Sequence, residues 1–226
     1  GIFFLNIGDK YISKYGKSPL GLIPYKLVYF MTKNGWFLND ILIWFKPNHM
    51  PSSVKNRFSN TYEPVFVLSK SKINYYTRFK KLHPNLSRIL KINVQPTPYK
   101  HVAVYPEKLV EELLLMLDIP DDAIILDPFS GSGTTGKGVL NLNSRLLENK
   151  NFSFIMIERC DDYIQIIKKR CKLKEEGIKH LPTIKYKVHK INEETLTVDK
   201  GDSKIPSLID ERGFIKVTSN KKDYYN

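Results

Sequence analysis

Apolar residues fall into short runs along the chain, and their spacing switches between strand and helix periods. Ile2 to Ile7 is almost continuously apolar and stops at Gly8-Asp9, which predicts a strand buried on both faces. Ser18-Pro19 then opens a helix with Leu22, Tyr25, Leu27, Val28 and Phe30 on its apolar side, closing near Asn34-Gly35. Ile41 to Phe45 reads as a second strand stopped by Lys46-Pro47, and Glu63 to Ser69 as a third. From Lys70 to Lys100 the periodicity fades, and basic residues alternate with Tyr75, Tyr76, Phe79 and His83.

Regular patterning returns with a helix from Pro106-Glu107 through Leu117, with Pro106 at the favoured first position. Ala123 to Leu126 is a strand that runs into a glycine-rich loop and another helix. Phe152 to Ile157 is a further buried strand, and Asp161 to about Lys174 a helix. After Pro182 apolar and polar residues alternate around Asn192-Glu193, as in a hairpin, and Lys221 to Asn226 should fray. The chain opens on Gly1 within a strand-like run, which implies a natural start further upstream.

Charge adds a partner. The net charge is +13, and between Asp40 and Glu107 the one acidic residue is Glu63. Lys46, Arg57, Arg78, Lys80, Lys81 and Arg88 lie within that interval. A generally basic composition would scatter both signs, so the segregation predicts a surface for a polyanion, most simply nucleic acid. Cys160 and Cys171 fit small core residues in a reducing compartment, and their spacing suggests neither a metal site nor a disulfide framework. No apolar run is long enough for a membrane span.

Chemistry concentrates in Leu126-Asp127-Pro128-Phe129-Ser130-Gly131-Ser132-Gly133-Thr134-Thr135-Gly136. A strand precedes it and a helix follows, which is where α/β folds bind ligands. Glu158 ends the next strand about 22 residues past Gly136, near the spacing at which a carboxylate grips ribose hydroxyls. The same glycines fit a dinucleotide fingerprint, a weak signal by itself. Asp127 would repel a pyrophosphate but welcome an ammonium, and the Thr134 and Thr135 hydroxyls suit a carboxylate. S-adenosylmethionine, an amino acid joined to a nucleoside, satisfies both ends.

Asp127 to Thr135 resembles the cofactor loop of the DNA amino-methyltransferases, which methylate the exocyclic amino group of adenine or cytosine. Lys100 to Leu109, with His101, resembles the family's cofactor-side motif. Ile43-Trp44-Phe45-Lys46-Pro47-Asn48 with Asn60-Thr61-Tyr62-Glu63 resembles the block lining its target-base pocket, and Phe4 to Asp9 the strand after its catalytic motif. Catalytic-half blocks come first and the cofactor loop second, which is the permuted, beta-type order.

The resemblance implies a Rossmann-like S-adenosylmethionine-dependent methyltransferase fold, with a mostly parallel seven-stranded sheet that is incomplete here and has one reversed strand. It divides the chain into a catalytic half (1–70), a short basic target-recognition spacer (71–98), a cofactor half (99–175) and a C-terminal extension (176–226). It assigns Asp127, Pro128, Phe129, Ser130, Gly131, Ser132, Gly133, Thr134, Thr135, Glu158 and His101 to the cofactor. Trp44, Lys46, Arg57, Arg78, Lys80, Lys81 and Arg88 go to the base pocket and DNA, since a base must be extruded and stacked before it is modified. No metal is implied.

The Asp/Asn/Ser-Pro-Pro-Tyr/Phe signature does not occur: Ile23-Pro24-Tyr25 and Thr97-Pro98-Tyr99 lack the paired prolines. The catalytic residues are therefore unknown and expected upstream of Gly1, so the chain alone should be silent and the edge of Ile2 to Ile7 unpaired. The implied function is site-specific DNA methylation within a restriction-modification system, in the cytoplasm of a prokaryote or encoded by a virus. Double-stranded DNA is the implied partner; a cognate restriction endonuclease and a second copy of the chain are open. The alternative is a non-catalytic DNA-binding or specificity remnant of the same fold. Methylation of adenine and of cytosine fit equally.

Overall fold

The computed structural model describes residues 1–12, 19–53, 57–96, 104–145 and 151–173, and the backbone of four later strands. Two compact units result, Gly1–Pro120 and Asp121–Asn226.

The first unit is built on a four-stranded sheet. Strands β1 (Ile2–Asn6), β2 (Phe37–Phe45), β3 (Tyr62–Ser69) and β4 (Ile89–Lys91) lie in the order β1-β3-β2-β4. β3 runs antiparallel to β1 and β2, whereas β2 and β4 are parallel. Alternation along the strands sends side chains to two covered faces. Phe3, Leu5, Phe66, Leu68 and Ile41 meet Val28 of helix α1 (Ile23–Lys33) on one face. Leu42, Trp44, Val65 and Val67 meet the other face's helices: Tyr76 of α2 (Tyr75–Leu82), and Leu109 and Leu113 of α3 (Glu107–Leu115). Covering on both faces explains why Val65 to Leu68 is apolar without a break and wholly buried. β1 is less deeply placed than a strand buried on both faces: all five of its residues are half-buried, at the sheet's edge.

Three local features depart from the sequence pattern. α1 begins at Ile23 rather than near Ser18-Pro19. Leu22, before it, is in the left-handed region at φ 55°, and no local side chain caps the helix. Asp9 does so from a distance, accepting the N–H of Leu22 at 2.9 Å and of Ile23 at 3.2 Å. Pro106 is the residue before α3 rather than its first helical position.

The third departure lies in the basic stretch, where α2 and β4 form although periodicity fades. Asn74 caps α2, accepting from Tyr76 and Thr77, while the Thr77 hydroxyl takes the Asn74 N–H in a capping box. An extra residue in β2, between Leu38 and Asp40, supplies the anchor. There the Asn39 side chain accepts the Asn74 amide at 3.0 Å, and Asp40 accepts the Tyr76 hydroxyl at 3.0 Å.

The second unit has a parallel sheet in the order β5-β6-β10-β7, from β5 (Ile124–Asp127), β6 (Ser153–Ile157), β7 (Ile178–Leu181) and β10 (Phe214–Val217). Helix α4 (Thr134–Arg145) follows β5 and α5 (Asp161–Cys171) follows β6, with Met156, Ile167 and Cys171 packed between them and Leu140 and Phe154 alongside. β8 (Tyr186–Lys190) and β9 (Leu196–Lys200) pair antiparallel, which is the hairpin expected after Pro182. No described helix is long and apolar enough to cross a membrane.

Candidate cofactor loop and basic surface

β5 delivers Asp127 to the tip of the sheet, and the chain turns through 128–133 before α4 begins at Thr134. The turn is tied to the end of β6: the Ser130 N–H donates to the Ile157 carbonyl at 3.1 Å and the Ser130 hydroxyl to the same oxygen at 3.2 Å. Glu158 completes the closure. Its Oε2 accepts the Gly131 N–H at 2.8 Å, while Oε1 accepts from Arg159 and Cys160 at 2.8 Å each. Asp127 accepts the Phe129 N–H at 3.0 Å and the Thr135 hydroxyl. Two carboxylates therefore stand at the ends of adjacent strands with the glycine loop between them.

The glycines have separate duties. Gly131 has φ 51° and nothing within 4 Å of where a Cβ would lie, so the backbone there is open to an approaching molecule. Gly133, at φ 81°, lies against α5, where a Cβ would come 2.9 Å from Cγ1 of Ile167. Phe129 is 89% exposed at the same loop. Thr134 and Thr135 are buried, their hydroxyls turned inward toward Arg170 and Asp127. Pro128 is half-buried and Ser132 buried.

Arg170 was not visible as a site residue in the sequence. Its Nη1 donates to the carbonyl and to the hydroxyl of Ser132, both at 3.0 Å, and so holds the loop from α5. The available signal is its place on α5 one turn beyond Ile167, which packs under Gly133. His101 lies outside the described residues.

The basic residues of the first unit divide into inner and outer sets. Trp44 is 3% exposed in the core, its indole N–H donating to the Ile92 carbonyl at 2.8 Å. Lys46 is buried too, paired with Glu63 and placed 4.7 Å over the Trp44 ring. The structure thus places these two in the interior of the first unit. Their neighbours across the strand pair, with Trp44 opposite Glu63, account for it. Arg57 stacks over Tyr11 at 3.6 Å and Arg78 lies 5.8 Å from the Tyr75 ring. Arg78, Lys80, Lys81 and Arg88 are exposed, and Lys80 and Arg88 contact Asp40 at 3.4 and 3.0 Å. Burial, the hydrogen bond to Asp40 and its charge all raise the Tyr76 pKa against the opposing Arg88, so the hydroxyl stays a donor.

This geometry can hold a ligand with a cationic amine near one carboxylate and vicinal hydroxyls near the other. The sequence model of the DNA methylase family matches residues 1–169. The chain belongs to the DNA methylase family.

Within that family, the Type II methyltransferase M.MwoI of Methanothermobacter wolfeii is 46% identical over 224 residues, covering 99% of this chain but 32% of that protein. The chain therefore spans about a third of M.MwoI. The crystal structure of an M1.HpyAVI–SAM complex superposes with a TM-score of 0.55 at 26% identity, over 76% of this chain and 75% of that one. PvuII DNA methyltransferase, described as cytosine-N4-specific, reaches a TM-score of 0.59 at 23% identity, over 77% of this chain and 64% of that one. These likenesses establish the Rossmann-like α/β methyltransferase fold.

Proposed function

We propose that this DNA methylase chain binds S-adenosylmethionine in the β5–α4 loop and serves methyl transfer to an exocyclic amino group of adenine or cytosine in double-stranded DNA. A Type II restriction-modification system is the setting, as the name of M.MwoI suggests. One observation carries the reading: Asp127 and Glu158 flank an open, positive-φ Gly131. Asp127 attracts the amine of the amino-acid end, and Glu158 accepts from the ribose hydroxyls. A bound dinucleotide would bring its pyrophosphate against Asp127, where like charges repel. The cofactor supplies a methyl group activated on a sulfonium. The chain's contribution is placement, since a reacting methyl must lie in line with the target nitrogen.

The exposed cations of 57–91 supply the DNA-facing surface in this reading, with phosphate contacts giving affinity independent of sequence. The seven-stranded, mostly parallel count with one reversed strand remains part of the proposal, as does the division at 70, 98 and 175.

Isothermal titration with S-adenosylmethionine and with NAD tests the cofactor assignment. S-adenosylmethionine should bind in preference, and Asp127→Ala should weaken it by about 1–3 kcal/mol, the range for a charge-assisted hydrogen bond. Tighter binding of NAD would overturn the assignment.

A further inference from the structure

A second built feature lies on the α2 side of the first unit's sheet. Asp40 follows the bulge of β2, and its side chain is only 4% exposed. Its Oδ1 accepts the Ile41 N–H at 2.9 Å and contacts Nε of Arg88 at 3.0 Å. Its Oδ2 accepts the Tyr76 hydroxyl at 3.0 Å and contacts Nζ of Lys80 at 3.4 Å. One buried carboxylate thus holds two cations, whose side chains remain 51% (Lys80) and 66% (Arg88) exposed. Both line a concavity with Phe79, His83 and Ser87, in which the Phe79 and His83 rings lie 4.4 Å apart.

Asp40 can act on a polyanion in two ways, and they differ in sign. As a bare negative charge it would weaken binding, and its removal would strengthen it. As an anchor it fixes two long, rotamer-rich side chains before any ligand arrives, so that less entropy is lost when they grip an anion. The geometry favours the anchor. Besides the Ile41 N–H, three partners (Arg88, Tyr76 and Lys80) engage the two carboxylate oxygens between them, and the acid lies below the exposed heads instead of beside them. Two cations over one acid leave a net charge of about +1 at the rim, enough to attract one phosphate. Arg88 meets Asp40 through Nε, and its planar fork is suited to phosphate oxygens.

We propose that Lys80 and Arg88 form a binding site for one DNA backbone phosphate at the rim of the α2 concavity, and that Asp40 is the positioning residue beneath them. The proposal rests on the DNA-binding reading above and adds to it a located contact and a carboxylate that promotes binding of an anion.

Fluorescence anisotropy of the 226-residue chain with a short mixed-sequence duplex, across a salt series, tests it. Arg88→Ala and Lys80→Ala should each weaken binding about tenfold at low salt. Each should also flatten the log–log salt slope by about 0.9, the value of one phosphate. Arg88→Lys should restore the slope but not the affinity. Asp40→Asn should weaken binding about threefold or more although it adds positive charge, with no further loss in an Arg88→Ala background. Tighter or unchanged binding by a folded Asp40→Asn variant overturns the positioning role. An unchanged slope in both Ala variants, while the parent still binds in a salt-dependent way, overturns the site. Should Asp40→Asn fail to fold by circular dichroism, the Lys80 and Arg88 variants decide. A parent that shows no salt-dependent binding removes the DNA reading itself, and the site with it.

Discussion

Replacing Gly131 and Gly133 by alanine, one at a time, separates the glycine that leaves room for a ligand from the glycine that leaves room for the fold. Both have positive φ, so either substitution meets the left-handed penalty of about 1–2 kcal/mol for a residue with a Cβ. At Gly131 nothing is added to this, because no atom lies within 4 Å of the new methyl, and the N–H that donates to Glu158 is retained. At Gly133 the methyl would meet Cγ1 of Ile167 at 2.9 Å, and its Cβ and Cγ2 at 3.4 Å. Ile167 is fully buried and β-branched, so it has little freedom to turn away. Overpacking of this kind costs about 1–3 kcal/mol, giving about 2–5 kcal/mol in all for Gly133→Ala.

The functional effects should follow the opposite order relative to stability. Gly131→Ala places its methyl in the space where the cofactor would approach, and should lower S-adenosylmethionine affinity about tenfold, or ~1.4 kcal/mol. Urea denaturation followed by circular dichroism gives the stabilities, and isothermal titration the affinities. Equal destabilisation by the two substitutions would refute the division of duties. So would unchanged S-adenosylmethionine binding by Gly131→Ala.

Three further outcomes are expected. Arg170→Ala should loosen the loop by about 1–3 kcal/mol through the lost bonds to Ser132, read as weaker S-adenosylmethionine binding and faster amide exchange at 130–134. Lys46→Met leaves Glu63 partly buried without its cation and should destabilise the first unit by about 1–3 kcal/mol, while changing DNA affinity less than Arg88→Ala does; thermal melts and anisotropy measure the two. Desolvation raises the Asp9 pKa, but the N–H groups of Ile23, Lys10 and Leu22, with Lys26, outweigh it and hold the value below 3.8. Its stabilisation is complete above 3.8 and lost as pH falls through the lowered value, so acid melts of the parent should steepen there and those of Asp9→Asn should not.

Elements held by local apolar pattern were legible from the sequence, and those held by distant polar partners were not. Val65 to Leu68 declared a doubly covered strand because every side chain there is apolar. The glycine loop was legible because a strand, a turn and a helix carry it within a dozen residues, and its carboxylate ties come from the ends of β5 and β6. α2 was hidden for the converse reason. Of its eight residues one is buried, and beyond the local Asn74–Thr77 capping box its ties to the sheet come from Asn39 and Asp40 some 35 positions earlier. The start of α1 was misplaced because its capping carboxylate, Asp9, lies 13 residues before Leu22 instead of at a local capping position.

The same distinction changes the meaning of the charge. Between Asp40 and Glu107 the sequence presents a run of cations facing a single acid, and by count they are equivalent. In the fold, Glu63 lies opposite Trp44 across the β2–β3 pair and draws Lys46 inside. Asp40, at the boundary of the interval, acts on two of the cations without burying them. An acid therefore withdraws one lysine from the surface and orders a lysine and an arginine on it, and the outcome depends on depth. Glu63 meets a side chain that is itself enclosed, 11% exposed, whereas Asp40 lies beneath heads that remain half or more in solvent. Net charge sets the attraction to DNA at long range, where every cation counts alike. In the DNA-binding reading proposed above, contact at short range falls to the exposed cations, two of which Asp40 holds in place.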